Sequence, residues 1–269
     1  MSHAAARGFA LPCARVDLGM RLLNLKTALV ALTITAIALV GAASPSSAAV
    51  TAAGPTVASV QPRPGEVVGV AAPVTVTFTT PVANRAAVER AFTIDIPNSP
   101  SGQFSWLDGK TLQFKPDGFW PSHSVIPLSV GGFKTDITTG AAVQGVADIS
   151  AHTFTVSIDG QVARTMPASM GKPSRPTPIG NFSVQSREQS VVMDSRTIGI
   201  PLSDPDGYKI TAYYAERITG SGVYVHSAPW SVDSQGYANV SHGCINLSPD
   251  NAVWYYNAVH IGDPVIVQA

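Results

Sequence analysis

Apolar and polar residues alternate one for one in runs of only five or six residues, and turn residues break the runs. Val74-Thr75-Val76-Thr77-Phe78 sets Val74, Val76 and Phe78 on one face and threonines on the other, and Phe92-Thr93-Ile94-Asp95-Ile96 repeats the pattern. A period of two belongs to a strand with one buried face. A helical protein would need long amphipathic repeats, and only one good helix signal is found. The 23 Gly and 21 Pro, with 13% charged residues, favour a turn-rich β protein. A chain of 269 residues suits one large or two modest domains, each able to bury a core.

The N-terminus stands apart. Residues 28–43 form an uncharged apolar run behind Arg21 and Lys26, and Ser47-Ala48-Ala49 fits a small-residue cleavage site. Residues 1–49 therefore read as a secretory signal peptide, with Met20 as an alternative start. The run is short for a membrane span, so attachment to the membrane is expected only if this segment stays uncleaved. Residues 50–55 continue as a flexible tether. Cleavage removes Arg7, Arg15, Arg21, Lys26 and Asp17 from a formally neutral chain and leaves it mildly acidic. No basic stripe that could neutralise nucleic-acid phosphates is present.

Residues 56–147 read as an immunoglobulin-like sandwich of short strands. Asp108-Gly109 marks a hairpin, and Trp106, Phe114, Phe119 and Trp120 are its expected core aromatics. The region lacks paired cysteines, which excludes antibody-type domains. Residues 148–269 form a second β region. Its strongest hairpin is Thr153-Phe154-Thr155-Val156-Ser157-Ile158, turning at Asp159-Gly160 into Gln161-Val162-Ala163-Arg164. The proline-rich stretch 171–180 is a surface loop. Ser248-Pro249 reads as an N-cap with proline at the first helical position, opening a helix to about Val259.

Cys13 lies upstream of the apolar run, so the processed chain keeps one cysteine, Cys244, in Ser241-His242-Gly243-Cys244. Disulfides form in oxidising compartments, and a lone exported thiol has no bridge to explain it. A strand ending on His226 lies upstream. Imidazole can take a thiol proton, and Gly243 beside Cys244 leaves room for an acyl group, with the amides of both residues as expected oxyanion donors. Ser227 offers a group to orient the imidazole. Taken alone, a lone cysteine is more often a small buried hydrophobe. Tyr208, Met193 and Trp230, also taken alone, read as core or surface filler. His226, His242 and Cys244 lack a well-spaced fourth zinc ligand, so no metal site is expected.

Residues 150–267 resemble the catalytic domain of the L,D-transpeptidases, the YkuD-type family that remodels bacterial peptidoglycan. The resemblance rests on Thr177-Pro178-Ile179-Gly180, on His226-Ser227-Ala228-Pro229-Trp230 and on Ser241-His242-Gly243-Cys244. Residues 56–146 are similar to the immunoglobulin-like module of mycobacterial-type members. The implied fold is all-β: an immunoglobulin-like sandwich, then a catalytic β-sandwich with one short helix after the catalytic loop.

By this resemblance Cys244 is the nucleophile, His226 the acid/base, and the Ser227 carbonyl orients the imidazole. Ser241, His242 and Gly243 shape the loop. Tyr208, Met193, Ser221, Gly222, Asn246 and Trp230 match substrate-contact positions. The implied reaction is formation of 3→3 cross-links between peptidoglycan stem peptides through a thioester, without a cofactor. Carbapenem-type β-lactams are the expected inhibitors. Two alternatives stay open: a hydrolase that trims stem peptides, and an inert wall-binding protein. Two departures are noted. Asn246 stands where many members carry arginine, and the chain ends two residues after Val267, without the C-terminal extension that braces longer relatives.

Overall fold

The computed structural model describes residues 54–269; the apolar run, the cleavage motif and Cys13 lie outside them. Strands β1 (Val57–Gln61), β2 (Val67–Val68) and β3 (Val74–Phe78) lead to a short helix α1 (Arg85–Arg90). Then follow β4 (Phe92–Ile94), β5 (Gly102–Trp106), β6 (Thr111–Pro116), β7 (Val125–Val130) and β8 (Phe133–Thr139). They form two four-stranded sheets, β1-β3-β6-β5 and β2-β8-β7-β4. Val74, Val76 and Phe78 face the core between them, as the alternation requires.

Phe114 and Trp120 are buried in that core, and the Trp120 indole N–H donates to the Ala72 carbonyl at 2.8 Å. Phe119 corrects the expectation: it is 55% exposed, because the segment that buries Trp120 turns its neighbour outward. Helix α1 was also unexpected. It buries only Val88, too few residues to show a helical period, and is started by Asn84 Oδ1 accepting the Ala87 amide at 3.1 Å.

The second region begins with β9 (Val143–Asp148), then β10 (Thr153–Ile158), β11 (Gln161–Pro167), β12 (Gly180–Ser183), β13 (Ser186–Asp194), β14 (Lys209–Arg217), β15 (Tyr224–Ser227) and β16 (Ile245–Leu247). Helix α2 (Pro249–Ala258) and β17 (Pro264–Gln268) close the chain. The sheet orders are β11-β10-β9-β17-β12 and β13-β14-β15-β16. Residues 143–147, read with the first region, pair antiparallel with β10 and parallel with β17. Their alternation announces a strand but not its partners. The β10–β11 hairpin turns at Asp159 and Gly160, both with positive φ, as a two-residue turn demands. Ser248 caps α2 with Pro249 in the first turn, and Tyr255 packs edge-on to Phe154 in the core.

The two regions join through backbone. The Gly69 amide donates to the Ile261 carbonyl and the Ala71 amide to the Gly262 carbonyl, each at 2.8 Å. A Cβ on Gly69 would stand 2.1 Å from the Asp263 nitrogen, so only glycine permits this approach.

Candidate functional site

Strands β15 and β16 run parallel, with His226 opposite Asn246. Cys244 immediately precedes β16, so this pairing brings a thiol and an imidazole from distant sequence to one cavity of about 270 Å³. His226 is 3% exposed, and its Nδ1 lies 2.9 Å from the Ser227 carbonyl oxygen. A carbonyl only accepts, so Nδ1 carries the proton and Nε2 keeps its lone pair in the neutral ring. Burial lowers the imidazole pKa to about 4, opposed by that hydrogen bond. Burial also pushes the Cys244 thiol up to about 11, with the Tyr224 backbone pulling weakly the other way. Both groups are therefore neutral at rest. Sγ lies 3.9 Å from the Gly222 carbonyl oxygen.

The loop carrying Cys244 is pinned from both sides. Ser241 Oγ accepts the Gly243 amide at 3.0 Å and donates to the Cys244 carbonyl at 2.6 Å. Thr177 Oγ1 donates to the Gly243 carbonyl at 2.9 Å and accepts the Gly171 amide at 2.9 Å. The Gly243 N–H, expected as an oxyanion donor, is held by Ser241 Oγ in this structure. Gly243 is glycine for its φ of +120°: a Cβ would find its nearest neighbour at 3.8 Å, so space is not the constraint.

Of the remaining sequence-derived positions, Tyr208, Met193, Trp230, Ser241, His242 and Asn246 line the cavity. The Tyr208 ring lies 4.9 Å from the His242 ring, and burial raises its phenol pKa. Trp230 is 53% exposed and covers His226 with ring centroids 6.0 Å apart. Asn246 is buried and donates through Nδ2 to Ser231 Oγ at 3.1 Å. Ser221 and Gly222 lie outside the lining: Ser221 is exposed and its hydroxyl pairs with Thr219 Oγ1 at 2.9 Å.

Sequence reasoning missed Ile210, Ser231 and Val240 as lining residues. The clamp formed by Thr177 is a further feature that the turn motif alone does not announce. Among the described residues no group of three or more His, Cys, Asp or Glu is arranged to hold a metal ion.

Comparison with known proteins agrees with this geometry. Residues 143–267 match the L,D-transpeptidase catalytic domain, and residues 31–131 match a bacterial Ig domain. L,D-transpeptidase 1 of Mycobacterium tuberculosis is 62% identical over 79% of this chain and 85% of its own length. Probable L,D-transpeptidase 3 of that organism is 54% identical over 79% and 86%. Among solved structures, an L,D-transpeptidase from Mycobacterium smegmatis superposes with a TM-score of 0.77 at 63% identity, covering 80% of this chain and 99% of that one. The LD transpeptidase LdtMt1 in complex with imipenem gives 0.74 at 62%, with the same coverage. A neutral thiol and a tautomer-locked imidazole in one cavity, on a catalytic domain with this much shared sequence, place the chain in the L,D-transpeptidase family, an acyltransferase preceded by a bacterial Ig domain.

Proposed function

We propose that Cys244 and His226 carry out acyl transfer between peptidoglycan stem peptides, making 3→3 cross-links through a Cys244 thioester. The observation that carries this reading is the hydrogen bond from His226 Nδ1 to the Ser227 carbonyl. It leaves Nε2 as a base in the cavity that Cys244 shares.

Because both groups rest neutral, attack and proton transfer are coupled. The thiol proton passes to Nε2 as Sγ bonds to the carbonyl carbon of the third stem residue. The oxyanion takes hydrogen bonds from the Cys244 amide and the Tyr208 phenol, which burial keeps protonated. Collapse breaks the bond to the terminal D-alanine, whose nitrogen leaves with the proton from Nε2. The side-chain amine of a second stem then attacks the thioester, gives a proton to His226, and returns the thiol. The acyl bond energy is held in the thioester, so the reaction needs no ATP or cofactor.

The apolar run and cleavage motif near the N-terminus support export to the cell wall. Among the described residues no helix is long and apolar enough to cross a membrane. Carbapenem-type β-lactams are expected to acylate the same sulfur, in keeping with the imipenem complex of the relative.

Intact-protein mass after carbapenem exposure tests the nucleophile: an adduct on the unaltered protein and none on Cys244→Ala is expected. With a disaccharide-tetrapeptide, cross-linked dimers support transfer, whereas trimmed tripeptides alone would make the enzyme a hydrolase. Unchanged cross-linking by Cys244→Ala would overturn the assignment.

A further inference from the structure

The cavity around Cys244 is lined by apolar and neutral polar residues together with two histidines, and no lysine or arginine lines it. The donor bond broken under the proposed function releases a terminal amino acid that carries a free carboxylate. An anion entering such a cavity loses hydration and needs a compensating cation or hydrogen-bond donors. Asn246 does not supply a cation, and one of its amide hydrogens is held by Ser231.

A cation does stand behind one lining residue, His242. Lys172 Nζ lies 2.7 Å from Asp206 Oδ1, and the same carboxylate oxygen is 4.0 Å from Nε2 of the cavity-lining His242. Lys172 is attached to the Cys244 loop through its backbone amide, which donates to the Ser241 carbonyl at 2.9 Å. Asp206 belongs to the facing segment that carries Tyr208. Asp206 is 51% exposed at its side chain and Lys172 only 23%, so the carboxylate is the more solvent-accessible member of the pair. His242 Nε2 is buried without a hydrogen-bond partner, an uncommon state that a ligand oxygen would relieve. Three features thus meet beside the cavity-lining His242: a cation, the unpartnered ring nitrogen, and a carboxylate seated between them.

We infer that Lys172, with His242 Nε2, recognises the terminal carboxylate of the donor stem peptide, and that Asp206 occupies this position when no donor is bound. Asp206 is then a placeholder whose displacement frees the segment bearing Tyr208 to settle over the donor. The inference rests on the transpeptidase reading above. A carboxylate exchanged for another carboxylate keeps Lys172 paired throughout, so the cost of entry is smaller than for a cation left bare.

The test compares two donors: a disaccharide-tetrapeptide with a free C-terminal carboxylate, and the same molecule ending in a carboxamide. Release of the terminal residue is followed as kcat/KM. The unaltered enzyme should favour the carboxylate about 10- to 100-fold, the range of one charge-assisted hydrogen bond. Lys172→Met should bring the two donors close to equal by lowering only the carboxylate value, and Lys172→Arg should recover part of the preference. Asp206→Asn should raise kcat/KM for the carboxylate donor, because the competitor is gone. An unaltered enzyme that prefers the carboxylate, with Lys172→Met keeping the same preference, overturns the inference and leaves the transpeptidase reading intact. So does an equal fall on both donors. Release from neither donor by the unaltered enzyme overturns the transpeptidase reading itself.

Discussion

Thr177 reaches the Gly243 carbonyl across 66 residues of sequence, its hydroxyl donating at 2.9 Å while accepting the Gly171 amide. One buried side chain therefore fixes the loop next to Cys244 to the proline-rich loop. Thr177→Val keeps the shape and removes both bonds, leaving two buried backbone groups unpaired. The expected loss is about 1–3 kcal/mol of stability in urea unfolding, with slower carbapenem acylation, and Thr177→Ser should restore most of both.

Gly243→Ala tests backbone conformation separately from space. Its φ of +120° is outside the range that L residues adopt comfortably, while the added methyl would touch nothing closer than 3.8 Å. Strain of about 1–3 kcal/mol is expected. The loop can relieve it only by turning, which moves the Cys244 amide. Acylation should fall much more than stability does, and stopped-flow acylation beside a thermal melt distinguishes the two.

The neutral state of His226 predicts two pH dependences. The acid limb of kcat/KM should fall near pH 4 rather than near 6.5, since Nε2 must be unprotonated to accept the thiol proton. Stability should move in the same direction. Between about pH 6.5 and 4 the unfolded chain binds a proton at this residue that the folded chain refuses. Stability is therefore full above 6.5 and is lost as pH falls to about 4, by about 3 kcal/mol. His226→Gln should flatten that part of the curve and slow acylation by about 10²- to 10⁴-fold.

Glu216 predicts the opposite slope. Its side chain is fully buried beside β15, neither oxygen has a partner, and burial raises its pKa well above 4.5 despite the nearby Arg187 charge. The folded carboxyl stays protonated where the unfolded one ionises, so stability falls as pH rises above about 4.5. Glu216→Gln should be more stable than the unaltered protein at pH 8, by a margin that narrows towards pH 5. Denaturant midpoints at both pH values measure it, and an equal margin at both would exclude a neutral Glu216.

The sequence was most legible where structure is local. The alternation of Val74, Val76 and Phe78, the turn at Asp159-Gly160, and the cap at Ser248-Pro249 each act within a few residues, and each stands in the structure as read. Cys244 and His226 could be singled out by residue type, and their motifs carried the family. Long-range partners were not legible. Nothing in residues 143–147 says that they pair with the last strand, and nothing near Phe119 says that Trp120 takes the inward place. Ser241 holding the Gly243 amide and Lys172 meeting Asp206 depend on how separate loops close over one another. That is decided by tertiary packing and not by propensity.

The burial that raises the Cys244 thiol has a consequence for how long the enzyme survives. Oxidants attack the thiolate, and a thiol held near pKa 11 presents almost none of it. Cys244 is the one free cysteine among the described residues, so an oxidised sulfur there has no neighbouring thiol from which to be regenerated. Keeping the sulfur protonated at rest makes Cys244 durable against oxidants, and under the proposed mechanism the cost is dependence on His226 to take its proton.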